Sequence, residues 1–120
     1  MDVINREQVK AFITVDGSEI REFLAHRNSS IRNQSLAEAT LKPGCATAEH
    51  YHPMAEEIYY ILEGKARMRI EDEEQEVGPK DAIAIPPGKR HKIWNLGEEP
   101  LVFLCCCAPC YENEDTVMTE

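Results

Sequence analysis

No apolar run in the chain is long enough to cross a membrane as a helix. The longest, Leu101 to Ala108, has eight residues, against the roughly 20 that a bilayer requires. A basic-then-apolar leader is missing from the N-terminus, so a cytoplasmic protein with no membrane partner is expected. Positive charge is also scarce. Thirteen Lys and Arg stand against 22 Asp and Glu, a formal net charge of −9. Such a surface repels phosphate backbones, so no nucleic-acid partner is expected. The excess is local: residues 1–35 carry five basic and five acidic groups, residues 71–120 four and twelve. Nor is there an even set of cysteines. There are five, and Cys105, Cys106 and Cys107 are consecutive. Neighbours on a strand point to opposite faces, so these three cannot form compact bridges, and free thiols are expected. After Gly44 no segment sustains a helical period, and 120 residues leave room for one core only.

Punctuation is abundant instead. Pro43-Gly44, Gly64, Gly78-Pro79, Pro86-Pro87-Gly88, Gly97 and Pro100 mark turns at short intervals. Between them, Ile58–Leu62, Ala66–Ile70, Ala82–Ile85, His91–Trp94 and Leu101–Cys107 read as strands, and Ser35–Leu41 alternates as one. This is the pattern of an all-β sandwich or barrel. Asn5 with Gln8 three residues on suggests a capping box over a short helical turn. Ser18–Ala25 fits helix and strand equally. The acidic run Glu71–Glu76 reads as a solvated hairpin tip with strand ends.

The chemistry concentrates in the histidines, of which there are four. His26 reads as a surface residue. His50 and His52 are two apart, so on a strand they share a face at a spacing of roughly 7 Å. If His52-Pro53 opens a tight turn, Glu57 returns on the neighbouring strand opposite the pair. His91 opens a further strand beyond the Pro86-Pro87-Gly88 turn. Three neutral imidazoles and one carboxylate suit a divalent transition metal with open positions, whether Fe, Mn, Ni, Cu, Co or Zn.

The spacing resembles the cupin superfamily, and within it a small single-domain, mannose-6-phosphate isomerase-like cupin. The first motif of that family is matched without a gap by Gly44, His50, His52, Glu57 and Gly64. The second is matched by Pro86, Gly88, His91 and Asn95, with Lys80 in the place of its first glycine and Gly78 two residues earlier. The resemblance implies a double-stranded β-helix, or jelly roll, with an N-terminal extension of strands or a short helix. It implies that His50, His52, Glu57 and His91 bind one metal inside the barrel. Residues 1–43 are then N-terminal strands packing on the barrel and offering a dimer contact, 44–111 the barrel core and 112–120 an acidic tail. Within that fold Glu57, Tyr59 and Ile61 share the inward face of their strand, and Met68 lies on the apolar face of the next. Tyr59, Ile61 and Met68 are therefore candidate pocket residues. The expected function is metal-dependent chemistry on a sugar or hydroxy-carbonyl compound held in the barrel. The alternatives are a cupin dioxygenase and a ligand-sensing module without turnover. A homodimer is expected, because a small antiparallel sandwich leaves edges to cover.

Overall fold

Eleven strands carry the chain in the computed structural model, which describes residues 1–120. They are β1 (Phe12–Ile13), β2 (Glu19–Leu24), β3 (Ser35–Leu41), β4 (His50–Tyr51), β5 (Glu56–Glu63), β6 (Ala66–Ile70), β7 (Glu73–Val77), β8 (Ala82–Ile85), β9 (His91–Asn95), β10 (Leu101–Ala108) and β11 (Val117–Met118). Two antiparallel sheets face each other. One has the order β1-β2-β3-β10-β5-β8, the other β11-β4-β9-β6-β7. The all-β jelly roll expected from the sequence is the fold observed.

The ambiguous segment at 18–25 is strand. Its residues pair on both sides, Ile20 with Phe12 and with Ala39, and this tertiary pairing decides what local periodicity left open. The capping box closes over Arg6–Gln8: the Asn5 side chain accepts from the Glu7 N–H, and the Gln8 side chain accepts from the Asn5 N–H. The acidic run is the hairpin tip with strand ends that the sequence suggests. Glu71 and Asp72 make the turn, and Glu73–Val77 is a strand paired with β6. Residues 1–43 are built into the barrel, since β3 lies between β2 and β10. No cysteine is bridged.

Alternation sorts the side chains. Along β5, Glu57, Tyr59 and Ile61 are buried while Ile58, Tyr60 and Leu62 are exposed. The inward rows also change character along their length. On β9 the sequence runs His91, Ile93, Asn95, and on β10 it runs Cys107, Cys105, Phe103, Leu101, all buried. Cys107 lies opposite Glu57, Cys105 opposite Tyr59 and Phe103 opposite Ile61. One end of the barrel is therefore polar and the other is an apolar plug of Leu41, Ile61, Ile93, Leu101 and Phe103. Burying each of these side chains is worth about 1.5–3 kcal/mol. Asn95 closes the plugged end: its Nδ2 donates to the carbonyls of Leu41 and Glu99, and its Oδ1 accepts the Gly97 N–H.

Two turns fix this frame. Gly64 joins β5 to β6 at φ +98°, and a Cβ there would sit 2.9 Å from Leu101 Cα, so no other residue fits. Lys80, where the family motif has glycine, holds φ +77°. The turn keeps the glycine-type backbone without a glycine, because it is pinned to β5: the Lys80 N–H donates to the Ile61 carbonyl and the Ile61 N–H to the Asp81 carbonyl. The left-handed conformation costs a side-chain-bearing residue about 1–2 kcal/mol, and glycine loses about 0.5–1 kcal/mol more chain entropy on folding. Lys80→Gly should therefore stabilise the fold by roughly 0.5–1 kcal/mol. A urea titration should show a higher midpoint at unchanged slope. A lower midpoint would show that the lysine side chain itself supports the turn.

Candidate metal centre

Four side chains converge at the polar end. His50 lies on β4, His52 follows one residue beyond it, and His91 begins β9 directly opposite His50. The turn at residues 53–55 carries the chain to the other sheet, so Glu57 on β5 faces the histidines across the sandwich rather than from a hydrogen-bonded neighbour. One ring nitrogen from each of His50, His52 and His91 lies within 4.8 Å of the other two. Glu57 Oε1 is 3.3 Å from His52 Nε2 and 3.5 Å from His91 Nε2. All four residues are at least 95% buried.

The outer nitrogens of the rings are committed. His50 Nδ1 lies 2.7 Å from the Ala48 carbonyl, His52 Nδ1 3.0 Å from that of Asp115 and His91 Nδ1 2.9 Å from that of Lys89. A carbonyl can only accept, so each Nδ1 carries a proton and donates it. In the neutral ring Nε2 is then a bare lone pair, and all three point inward. Glu57 Oε1 and His91 Nε2 are buried without a hydrogen-bond partner. The short contacts of Glu57 Oε1 to two imidazoles are therefore lone pair against lone pair unless a cation lies between them. Leaving such atoms unpaired costs about 1–3 kcal/mol each. The donor set fits a divalent transition metal: three imidazole nitrogens and a carboxylate oxygen, each already oriented by its other atom.

Electrostatics agree with that orientation. Burial, and then the neighbouring His91, hold His50 below the ordinary imidazole range, so it stays neutral. Burial also opposes charge on His52, but the Glu57 carboxylate 3.3 Å away outweighs it and raises the ring. Burial would raise Glu57, yet contact with His52 and His91 holds its carboxyl well below the usual range. Without metal, then, a proton on His52 occupies the gap.

The remaining Glu57 oxygen is held by one of the cysteines expected as free thiols. Cys107 Sγ lies 3.1 Å from Glu57 Oε2 and donates to it. Burial and the nearby carboxylate push the Cys107 thiol up, and burial does the same to Cys105. Both thiols stay protonated, so neither is an activated nucleophile.

A cavity of about 40 Å³ opens beside His50, His52 and Glu57, room for a few waters. Tyr59 lines it together with Phe12, Phe103 and Tyr111. Ile61 is fully buried in the apolar plug and Met68 lines a separate groove between β6 and β8, so of the three candidate pocket residues only Tyr59 borders this cavity. Asp16 also lines it and was not singled out in the sequence. Its Oδ1 accepts from the Thr14 hydroxyl and from the Ser18 N–H and hydroxyl, at 2.6, 2.9 and 2.6 Å. Its Oδ2 is left facing His50 Nε2 at 3.7 Å. The Asp16-Gly17 pair is a turn signal in the sequence, but nothing local says that the turn folds over the barrel mouth.

These shifts set a pH dependence. The raised His52 contributes stability to the metal-free fold below its ordinary value of 6.5 and loses it as pH rises through the raised value. The lowered Glu57 contributes above its ordinary 4.5 and loses it in acid. Metal needs the His52 proton gone. The rise in melting temperature on adding zinc should therefore grow from roughly pH 5 to pH 8. A rise that is flat with pH, or larger in acid, would contradict this electrostatic reading.

Comparison with known proteins agrees with the geometry. A family model described as the cupin domain matches residues 37–107. An uncharacterised protein of Methanocaldococcus jannaschii is 47% identical over 122 residues, covering all of this chain and 98% of that protein. The tetracenomycin polyketide synthase protein TcmJ of Streptomyces glaucescens is 31% identical over 84 residues, 70% of this chain and 56% of that one. Among solved structures, the polyketide cyclase RemF of Streptomyces resistomycificus superposes with a TM-score of 0.84 at 25% identity, covering 100% of this chain and 86% of its own. The family match spans both ligand-bearing turns and more than half of the residues: the chain belongs to the cupin family.

Proposed function

We propose that this cupin is a metal-dependent enzyme that carries out non-redox chemistry on an uncharged hydroxy-carbonyl compound. The observation that carries the reading is the lining of the cavity. Asp16, Glu22 and Glu57 border it, with four aromatic rings and no lysine or arginine. A phosphosugar or a dicarboxylate calls for a fixed cation beside the metal. Arg27, which touches the lining at Glu22 and Tyr111, is committed to the Glu22 carboxylate, Glu112 and the Tyr111 carbonyl, and Arg21, Arg32, Lys89 and Arg90 are engaged elsewhere. Arg21 contacts Glu19, Arg32 the carbonyls of Ser29 and Ile31, and Arg90 pairs with Glu71. Lys89 borders the other groove. The likeness to polyketide-processing cupins supports a substrate rich in hydroxyl and carbonyl groups.

His50, His52, His91 and Glu57 would hold the metal. When bound, the metal supplies a Lewis acid for a carbonyl or hydroxyl oxygen. Asp16 Oδ2 is the free carboxylate oxygen of the cavity and would take a proton from the substrate. Its partner Oδ1, fixed by three donors, keeps it aimed. Burial holds Tyr59 well above the usual phenol range, so its hydroxyl stays protonated as a donor. A substrate larger than a few waters must displace the rim. β1 is suited to that: it has two residues, pairs only with β2 and exposes Phe12. A homodimer belongs to the same proposal, supported by the exposed Ile58, Tyr60 and Leu62 on the outer face of β5.

The test is a substrate screen on metal-loaded protein with dissolved oxygen recorded. Neutral hydroxy-ketones and polyphenols should turn over without oxygen uptake, and phosphorylated sugars should not. Asp16→Asn should keep its metal and lose about 10²–10⁴-fold in rate. Oxygen consumed in step with product would make the protein a dioxygenase instead. Faster turnover of a phosphosugar would overturn the reading of the lining.

A further inference from the structure

Residues 112–120 were expected to be an acidic tail. They make contact with every element that carries a histidine of the metal centre. The Asp115 carbonyl accepts the proton of His52 Nδ1 at 3.0 Å. The Asp115 carboxylate accepts the N–H of Met54 at 2.9 Å and of Ala55 at 2.9 Å, and those two amides form the turn between His52 and Glu57. β11 pairs with β4, with Met118 opposite His50. Glu120 reaches Lys92, the neighbour of His91, at 2.6 Å, and accepts the Glu49 N–H at 2.7 Å.

β4 has few other supports. It is two residues long, and its one partner besides β11 is β9, through the single pair His50 and His91. None of the tail residues belongs to the apolar core cluster. The tail therefore adds nothing to the plug that holds the sheets together. Tyr111 and Glu112, where it begins, tie it to Ser35, His26 and Arg27, and from Asp115 onward its contacts go to the ligand-bearing segments.

We infer that the C-terminal segment is a strap that positions the metal ligands, with Asp115 as its positioning residue. One Asp115 main-chain atom sets the ring of His52, and one Asp115 side chain sets the turn that delivers Glu57. With the strap docked, the Nε2 atoms and Glu57 Oε1 converge before any metal ion arrives. With it undocked, His52 loses its acceptor, β4 is left with one bridge, and the site is no longer preformed. The inference rests on the metal-centre reading above.

The experiment uses full-length, untagged protein and zinc, with affinity read by competition against a chromophoric chelator. Thermal melts of the metal-free forms are recorded alongside. Asp115→Ala keeps the main-chain carbonyl but frees the Met54 and Ala55 amides of the turn, and should weaken zinc binding about tenfold, the low end of the range for disturbed outer-shell partners of a metal ligand. Asp115→Asn, which keeps one acceptor oxygen for one of the two amides, should recover part of that loss. Glu114→Ala, exposed and without a partner in the site, should bind as the parent does. The inference is overturned if Asp115→Ala lowers the melting temperature of the metal-free protein but binds zinc within about twofold of the parent, since that is stability without positioning. A parent protein that binds no zinc overturns the metal-centre reading itself, and the strap with it.

Discussion

Everything at the polar end of this barrel depends on three donated protons. Each of His50, His52 and His91 gives its Nδ1 proton to a main-chain carbonyl, and that fixes which nitrogen faces inward. Reverse one of these bonds and the ring presents an N–H to the cavity instead of a lone pair. The rest of the site follows from the same constraint. Three lone pairs and a carboxylate oxygen are turned toward one point and buried there. Of these atoms, Glu57 Oε1 and His91 Nε2 find no hydrogen-bond partner in the chain. Such an arrangement calls for positive charge between the atoms, a metal ion or the proton that His52 takes up without one.

The barrel supplies this at moderate cost because its two ends do different work. Stability comes from the plug around Ile61, Leu101 and Phe103. The same strands then run on into the site: two residues along β5 from Ile61 is Tyr59, and two more is Glu57. The register Cys107 to Glu57 places a thiol where it can hold the carboxylate's second oxygen. A site built on strand interiors and short turns is rigid, and rigidity is what keeps like-disposed lone pairs from turning away from each other.

Much of this was legible in the residues, and for physical reasons. A period of two is unambiguous when one face is buried, so β3, β5, β6 and β10 could be read to within a residue or two. His50-x-His52 and Glu57 were legible because side chains two apart on an extended chain share a face. The turn at Gly78-Pro79 was legible too, but not its conformation, since Lys80 takes a left-handed backbone that no lysine announces. Nor was the extent of β7: five residues of which four are Glu or Gln carry no apolar alternation to detect. Asp16 and Asp115 were hidden for a different reason. Each lies in a polar segment remote from the motif, and only the closure of the barrel brings Asp16 over His50 and Asp115 under His52. Cys107 stood in plain view but looked like filler, because its role depends on which residue the sheet places opposite it.

The central claim is that the four converging atoms hold one metal ion with positions left open. X-ray absorption spectroscopy of untagged protein, combined with elemental analysis, tests it most directly. The account predicts one divalent transition metal per chain in a five- or six-coordinate shell, with the multiple-scattering pattern of three imidazoles. A protein that stays metal-free after incubation with zinc, manganese and iron(II), or an ion whose shell contains no imidazole, would contradict it.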